Sequence, residues 1–242
     1  MNALWAQTRN EVVLSLRQGE QLLVALGIPI LLLVFLSQVD LLPRATDRPI
    51  DELAPAMLAL AVMSSSMVSL GIGTGFERHY GVLKRLGVTP LGRPRLLGAK
   101  VLATFATEIV QLLSLSVVAL LLDWQPQWRP DLLVLAVLLG TATFAGLGLL
   151  LAGNLSGPAN LAACNGLYLL LLLFGGIAVP ASELPGPVGT VASALPTGAL
   201  VDLMRAATTE AQPGGRALVI LAVWALATPI AAAVTFRWSP SS

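Results

Sequence analysis

Glu108 is the residue whose type and position most demand a chemical explanation. It is the one ionisable side chain near the middle of a long apolar run, residues 96–122, and Gln111 follows one helical turn later on the same face. A carboxyl group at that depth must be protonated, paired or turned toward a polar cavity. Two uses follow: contact with a translocated molecule or a gate, and, more ordinarily, a hydrogen bond between helices. Three asparagines raise the same question. Asn154 and Asn160 flank a short uncharged stretch and are expected to cap or turn the helices there, whereas Asn165 is expected to bond across helices. Ser64, Ser65 and Ser66 are suited to lining a path, but such hydroxyls ordinarily bond their own backbone or a neighbouring helix.

Catalysis finds little support. The sequence shows no carboxylate pair, histidine cluster or Ser/His/Asp set, and its single histidine and single cysteine exclude a His-based metal site and an intrachain disulfide. The stretch from Gly92 to Gly98-Ala99-Lys100 has the wrong spacing for a phosphate cradle. Gly71-Ile72-Gly73-Thr74-Gly75 lies inside an apolar segment, where its Gly71/Gly75 spacing fits close helix packing. The expectation is a non-enzyme that binds no cofactor of its own. A net charge of +1 offers no basic face for nucleic acid.

The elements that position these residues are set by composition. Of 242 residues, 56% are apolar and 11% charged, and mean hydropathy is +0.82. Soluble domains carry roughly 25% charged residues, so lipid must be the solvent for most of this chain. Six runs are long enough to cross a membrane as helices: 21–39, 52–76, 96–122, 132–152, 161–180 and 217–236. Residues 1–20 carry Trp5, Thr8, Val12, Val13 and Leu16 on one side and suit a helix lying in the interface, with Arg9 snorkelling. No cleavable signal is evident. The 181–215 connection is too apolar for a free loop and too broken for two crossings, and it reads as short re-entrant helices. If the N-terminus is cytoplasmic, Arg9, Arg17, Arg78, Lys84, Arg85, Arg93, Arg95, Lys100 and Arg237 lie inside, against Arg44, Arg48, Arg129, Arg205 and Arg216 outside. Both termini are therefore expected in the cytoplasm, in an all-α polytopic protein forming one membrane domain.

The strongest local signal lies between the second and third runs: Phe76-Glu77-Arg78-His79-Tyr80-Gly81-Val82-Leu83-Lys84-Arg85-Leu86-Gly87-Val88-Thr89-Pro90-Leu91. Leu83 and Leu86 share one side of a short helix that Thr89-Pro90 stops. This run resembles the cytoplasmic signature of ABC type-2 permeases, Glu-Arg-Glu-x-Gly-Thr-Leu followed by Leu and then Thr-Pro. His79 stands at the usual acidic position and Val82 at the Thr. A second run is similar to that family's extracellular re-entrant segment: Glu183-Leu184-Pro185, Leu195-Pro196, then Leu200-Val201-Asp202-Leu203-Met204-Arg205. Its marker residues are Pro185, Pro196, Asp202 and Arg205.

The resemblance implies the membrane half of an ATP-driven exporter: two six-span permease subunits, alike or different, driven by separate ABC ATPase subunits that hold ATP and Mg. It implies that 77–95 is a coupling region. Glu77, Arg78, Gly81, Leu83, Arg85, Leu86, Thr89 and Pro90 would meet the ATPase. Glu77 and Arg78 would supply charge-assisted contacts, Leu83 and Leu86 would fill a groove, and Gly81 would permit close backbone approach. Few charges and 5% aromatics suit an amphipathic drug or lipid better than a polysaccharide. The alternative is a membrane anchor or regulator that transports nothing. Ala-, Gly-, Arg- and Pro-rich usage suggests a GC-rich bacterial genome, and with it the cytoplasmic (inner) membrane.

Overall fold

Proline starts most of the long helices, because its missing N–H is no loss in a first turn and its fixed φ suits one. The computed structural model describes residues 5, 7–9, 11–13, 19–38, 49–86, 92–175, 186–210 and 215–238. Regular structure among them is entirely helical. In chain order the helices are α1 Gly19–Gln38, α2 Pro49–Met63, a π-helical turn Ser64–Ser69, α3 Leu70–His79, and the short α4 Val82–Leu86. They continue with α5 Arg93–Leu121, α6 Pro130–Asn154, α7 Gly157–Phe174, α8 Gly186–Ala192, α9 Pro196–Thr208 and α10 Gly215–Thr235. The described parts of residues 1–20 are also helical; Leu16 and Arg17 lie outside the described residues.

Among the described residues, five helices are long and apolar enough to cross a membrane: Pro49–His79, Pro94–Leu121, Pro130–Asn154, Gly157–Phe174 and Gly215–Thr235. The 21–39 run falls on α1, whose described side chains give the shorter apolar stretch Gly27–Gln38. This is an all-α polytopic membrane protein.

The continuous helix through α2, the π turn and α3 is the centre of the bundle. Its most apolar window is 83% buried, against 22% for both α5 and α7. Small residues explain why it can be surrounded. A Cβ on Gly71 would lie 2.9 Å from the Gly148 Cα of α6, and one on Gly75 would lie 2.1 Å from Asn160 Nδ2 of α7. The expected close packing at Gly71/Gly75 is therefore observed: at Gly71 backbone lies against backbone, and at Gly75 the Asn160 side chain takes the space a Cβ would need.

α8 and α9 form a hairpin whose tip dips into the bundle. Trp224 Nε1, well inside α10, donates to Ala194 O at 3.0 Å, and Thr197 Oγ1 lies 4.0 Å from Met63 Sδ beside the π turn. The far end of α9 is clamped by the 124–129 loop through Gln127 N to Thr208 O, 2.9 Å, and Arg129 N to Ala207 O, 2.8 Å.

Candidate functional site

Two groups of polar residues are assembled by this fold, one at mid-helix and one at the end of the bundle that carries α4. At mid-helix, α5 turns Glu108 and Gln111 inward. They meet the π turn and α6. Ser66 donates to Glu108 Oε1, and Thr141 donates to Glu108 Oε2 at 2.5 Å. Ser65 donates to Gln111 Oε1, also at 2.5 Å. All five side chains are buried, Glu108 completely. Hydroxyls from two other helices thus occupy both oxygens of the carboxyl group. Of the two uses expected for Glu108, this geometry is that of the interhelical bond. Ser65 and Ser66 bond a neighbouring helix, the second of their ordinary choices.

Two asparagines depart from expectation. Asn160 is not a cap for the turn: it is buried, and its Nδ2 donates to Gly71 O at 2.9 Å, because α7 starts at Gly157 and has already carried it against α3. Asn165, expected to bond across helices, is exposed and donates to Leu161 O of its own helix at 3.0 Å. Asn154 does serve the helix end, donating to Leu150 O at 2.8 Å and to Thr235 Oγ1 at 3.1 Å.

At the other site the motif residues divide into inward and outward sets. Glu77 faces inward: Lys100 Nζ of α5 sits 2.7 Å from Glu77 Oε1 and 3.0 Å from Glu11 Oε1, tying the N-terminal helix to α3 and α5. Arg78 is 2% exposed. Its Nη1 donates to Ala152 O at 3.2 Å and Leu155 O at 2.7 Å, satisfying carbonyls at the end of α6 that have no partner within their own helix. Both were expected to make charge-assisted contacts with an ATPase, and both are instead engaged within the chain. Leu83 is likewise corrected. It is fully buried against Leu96, with Leu86, Phe236 and Trp238 packed around them, so it fills the chain's own core. A five-residue helix tethered between two membrane helices has only the bundle to bury its apolar side against.

Gly81 has φ +71° and open space where its Cβ would be, so glycine serves the left-handed turn between α3 and α4. The outward set is His79, Tyr80, Val82, Lys84 and Arg85, with Tyr80 69% and Val82 38% exposed. Tyr80 and Val82 were not among the expected contacts; their place on either side of Gly81 was the available signal. Thr89 and Pro90 lie outside the described residues, as does Pro185. Pro196 is buried at the start of α9, and Arg205 Nη1 stands 3.9 Å from the exposed Asp202 Oδ1.

A short helix slung between two membrane helices, followed by a dipping hairpin, is the order the resemblance implied. Comparison with known families decides the matter: residues 2–208 match the family described as ABC-2 type transporter. The chain belongs to that family. The match runs from the N-terminal helix to the last residue of α9, so it covers the mid-helix cluster and α4 alike. No curated protein matches the chain. As an ABC-2 family member, the chain is a multi-pass permease subunit of an ABC transporter, working with an ABC ATPase.

Proposed function

We propose that this permease couples ATP binding and hydrolysis on separate ATPase subunits to export of an amphipathic drug or lipid. The observation that carries the coupling reading is the outward face of α4. Tyr80 and Val82 expose apolar surface at a polar helix end, with Lys84 and Arg85 beside them. An apolar centre with a basic rim suits a groove on a partner protein. In this reading α4 lies in the cytoplasm with both chain termini, ATP and Mg belong to the partner, and a second permease subunit completes the path. Closure of the ATPase pair would push α4 and, through the inward anchors Arg78 and Leu83, shift α3 and α6 between inward- and outward-facing arrangements. The Leu- and Ala-rich helices, which carry few charges, support an apolar substrate.

The test is co-purification with a co-expressed ABC ATPase subunit from the same genome, followed by reconstitution in liposomes containing a fluorescently labelled phospholipid or a hydrophobic cationic dye. Wild-type permease is expected to retain the ATPase and to move one of the probes only with ATP. Val82→Asp should lower ATPase retention at least about tenfold, as loss of a central apolar contact does. Unchanged retention in Val82→Asp would remove α4 as the docking element. ATPase binding without movement of either probe would favour a regulatory subunit or another cargo.

A further inference from the structure

The π-helical turn lies where the surroundings of the central helix change. On one side of it, α2 packs mainly on α1, α5 and α9 and to a lesser extent on α6; on the other, α3 packs mainly on α6 and α7, touches α5, and continues into α4. Each half also has anchors of its own. Asn160 Nδ2 holds Gly71 O, and Arg78 holds the end of α6, whereas Met63 lies against Thr197 at the tip of the α8–α9 hairpin.

Besides Pro55, which has no N–H to give inside α2, the turn between them, Ser64–Ser69, is where α-helical bonding is interrupted along residues 49–79. A π turn has a wider ring and is rare, and it persists where something beyond the backbone supports it. Here the support is local. Two consecutive serines reach Gln111 and Glu108 on α5, and Glu108 in turn accepts from Thr141 on α6. On the opposite side the widened backbone lies against Gly148, where a Cβ would stand 2.7 Å from Met67 O and 3.1 Å from Ser66 O. The bulge is thus cradled by α6 and latched by α5.

We propose that Ser64–Ser69 is the pivot of the central helix, with Glu108 and Gln111 as the positioning residues that set its bend. Displacement of α4 and α3 would then change the angle at the pivot and reach the hairpin tip through Met63. Glu108 contacts no substrate in this role; it acts through the serines. The proposal rests on the coupling reading above, and its test is arranged so that the two can fail separately.

The permease is co-purified with its ATPase in a Cys164→Ala background, carrying spin labels at positions 52 and 73. The first lies in α2, and the second is exposed on α3 with open space around it. By helical rise the pair spans about 30 Å. Labelled protein is diluted with unlabelled, and distances are measured with and without ATP plus vanadate. The expected result is a nucleotide-dependent change of about 2 Å or more, the size of helix shifts in such transitions. Glu108→Leu and Ser66→Ala should reduce that change at least twofold. Glu108→Gln should preserve it, since an amide oxygen still accepts from a hydroxyl. Ser66→Ala removes only one oxygen, so it decides the matter even if Glu108→Leu fails to insert. An unchanged distance in a complex that binds and hydrolyses ATP overturns the pivot alone, as does a wild-type response from Ser66→Ala. A permease that does not bind the ATPase overturns the coupling reading and the pivot with it.

Discussion

Gly146→Val is expected to leave a permease that inserts but does not hold its bundle together, seen as a lower melting temperature in detergent. The cause is the contact between α6 and α10. A Cβ at position 146 would lie 2.4 Å from Thr228 Oγ1, 2.6 Å from Pro229 N and 2.7 Å from Thr228 C, so two of its three nearest neighbours are main-chain atoms. A side-chain rotation cannot relieve that. The same crossing carries Thr228 Oγ1 donating to Thr143 O at 2.8 Å, a bond that must stretch if the helices separate. Further along, Arg237 N donates to Gly153 O at 3.1 Å, so the helices cannot separate at one point without loosening others. Overpacking of this kind costs about 1–3 kcal/mol or more. For a chain of this size that is a fall of roughly 2–12 °C. Gly166→Val is the control: its Cβ would meet nothing within 4 Å, and its melting temperature should match the wild type. Equal melting temperatures for the two variants would show that α6 and α10 do not meet at Gly146.

The architecture was legible in the sequence wherever physics depends on composition and spacing alone. Long apolar runs demanded membrane helices. The four-residue interval between Gly71 and Gly75 predicted a close crossing, and the structure puts Gly148 and Asn160 there. What was not legible depends on partners distant in sequence. Glu108 and Gln111 were recognisable as a polar pair, but their donors lie over 30 positions away, on a π turn that no apolar periodicity distinguishes from an α-helix. Glu77 and Arg78 looked like surface charges because they border a charged loop. Their partners are a lysine on α5, with Glu11 beyond it, and two carbonyls at the end of α6, none of which local charge patterning reveals. Asn160 was misread for a simpler reason. Placing the start of its helix at Leu161 rather than Gly157 left it in a turn, whereas one more helical turn carries it into the core.

Leu83→Asp, the other change of large expected effect, separates the inward role of α4 from its outward one. Leu83 has no exposed surface, and the cluster around it joins α4 to Leu96 of α5 and to Phe236 and Trp238 beyond α10. A carboxylate among these apolar side chains loses its hydration, and an uncompensated buried charge costs about 3–5 kcal/mol. The variant should therefore lose thermal stability and ATPase retention together, because α4 lifts from the bundle and can no longer present Tyr80 and Val82. Leu83→Ala should cost less, within the roughly 2–5 kcal/mol range for truncating a buried leucine, with ATPase retention falling in proportion. Val82→Asp, one residue earlier on the exposed side, should melt within about 0.5 kcal/mol of wild type, as surface changes do, while losing the ATPase. Measuring melting and ATPase co-purification on the same three preparations distinguishes the cases. If Leu83→Asp melts like the wild type but releases the ATPase, Leu83 faces the partner, as the motif alone implied. A joint loss means that the bundle holds α4 by Leu83 and offers the partner its opposite face.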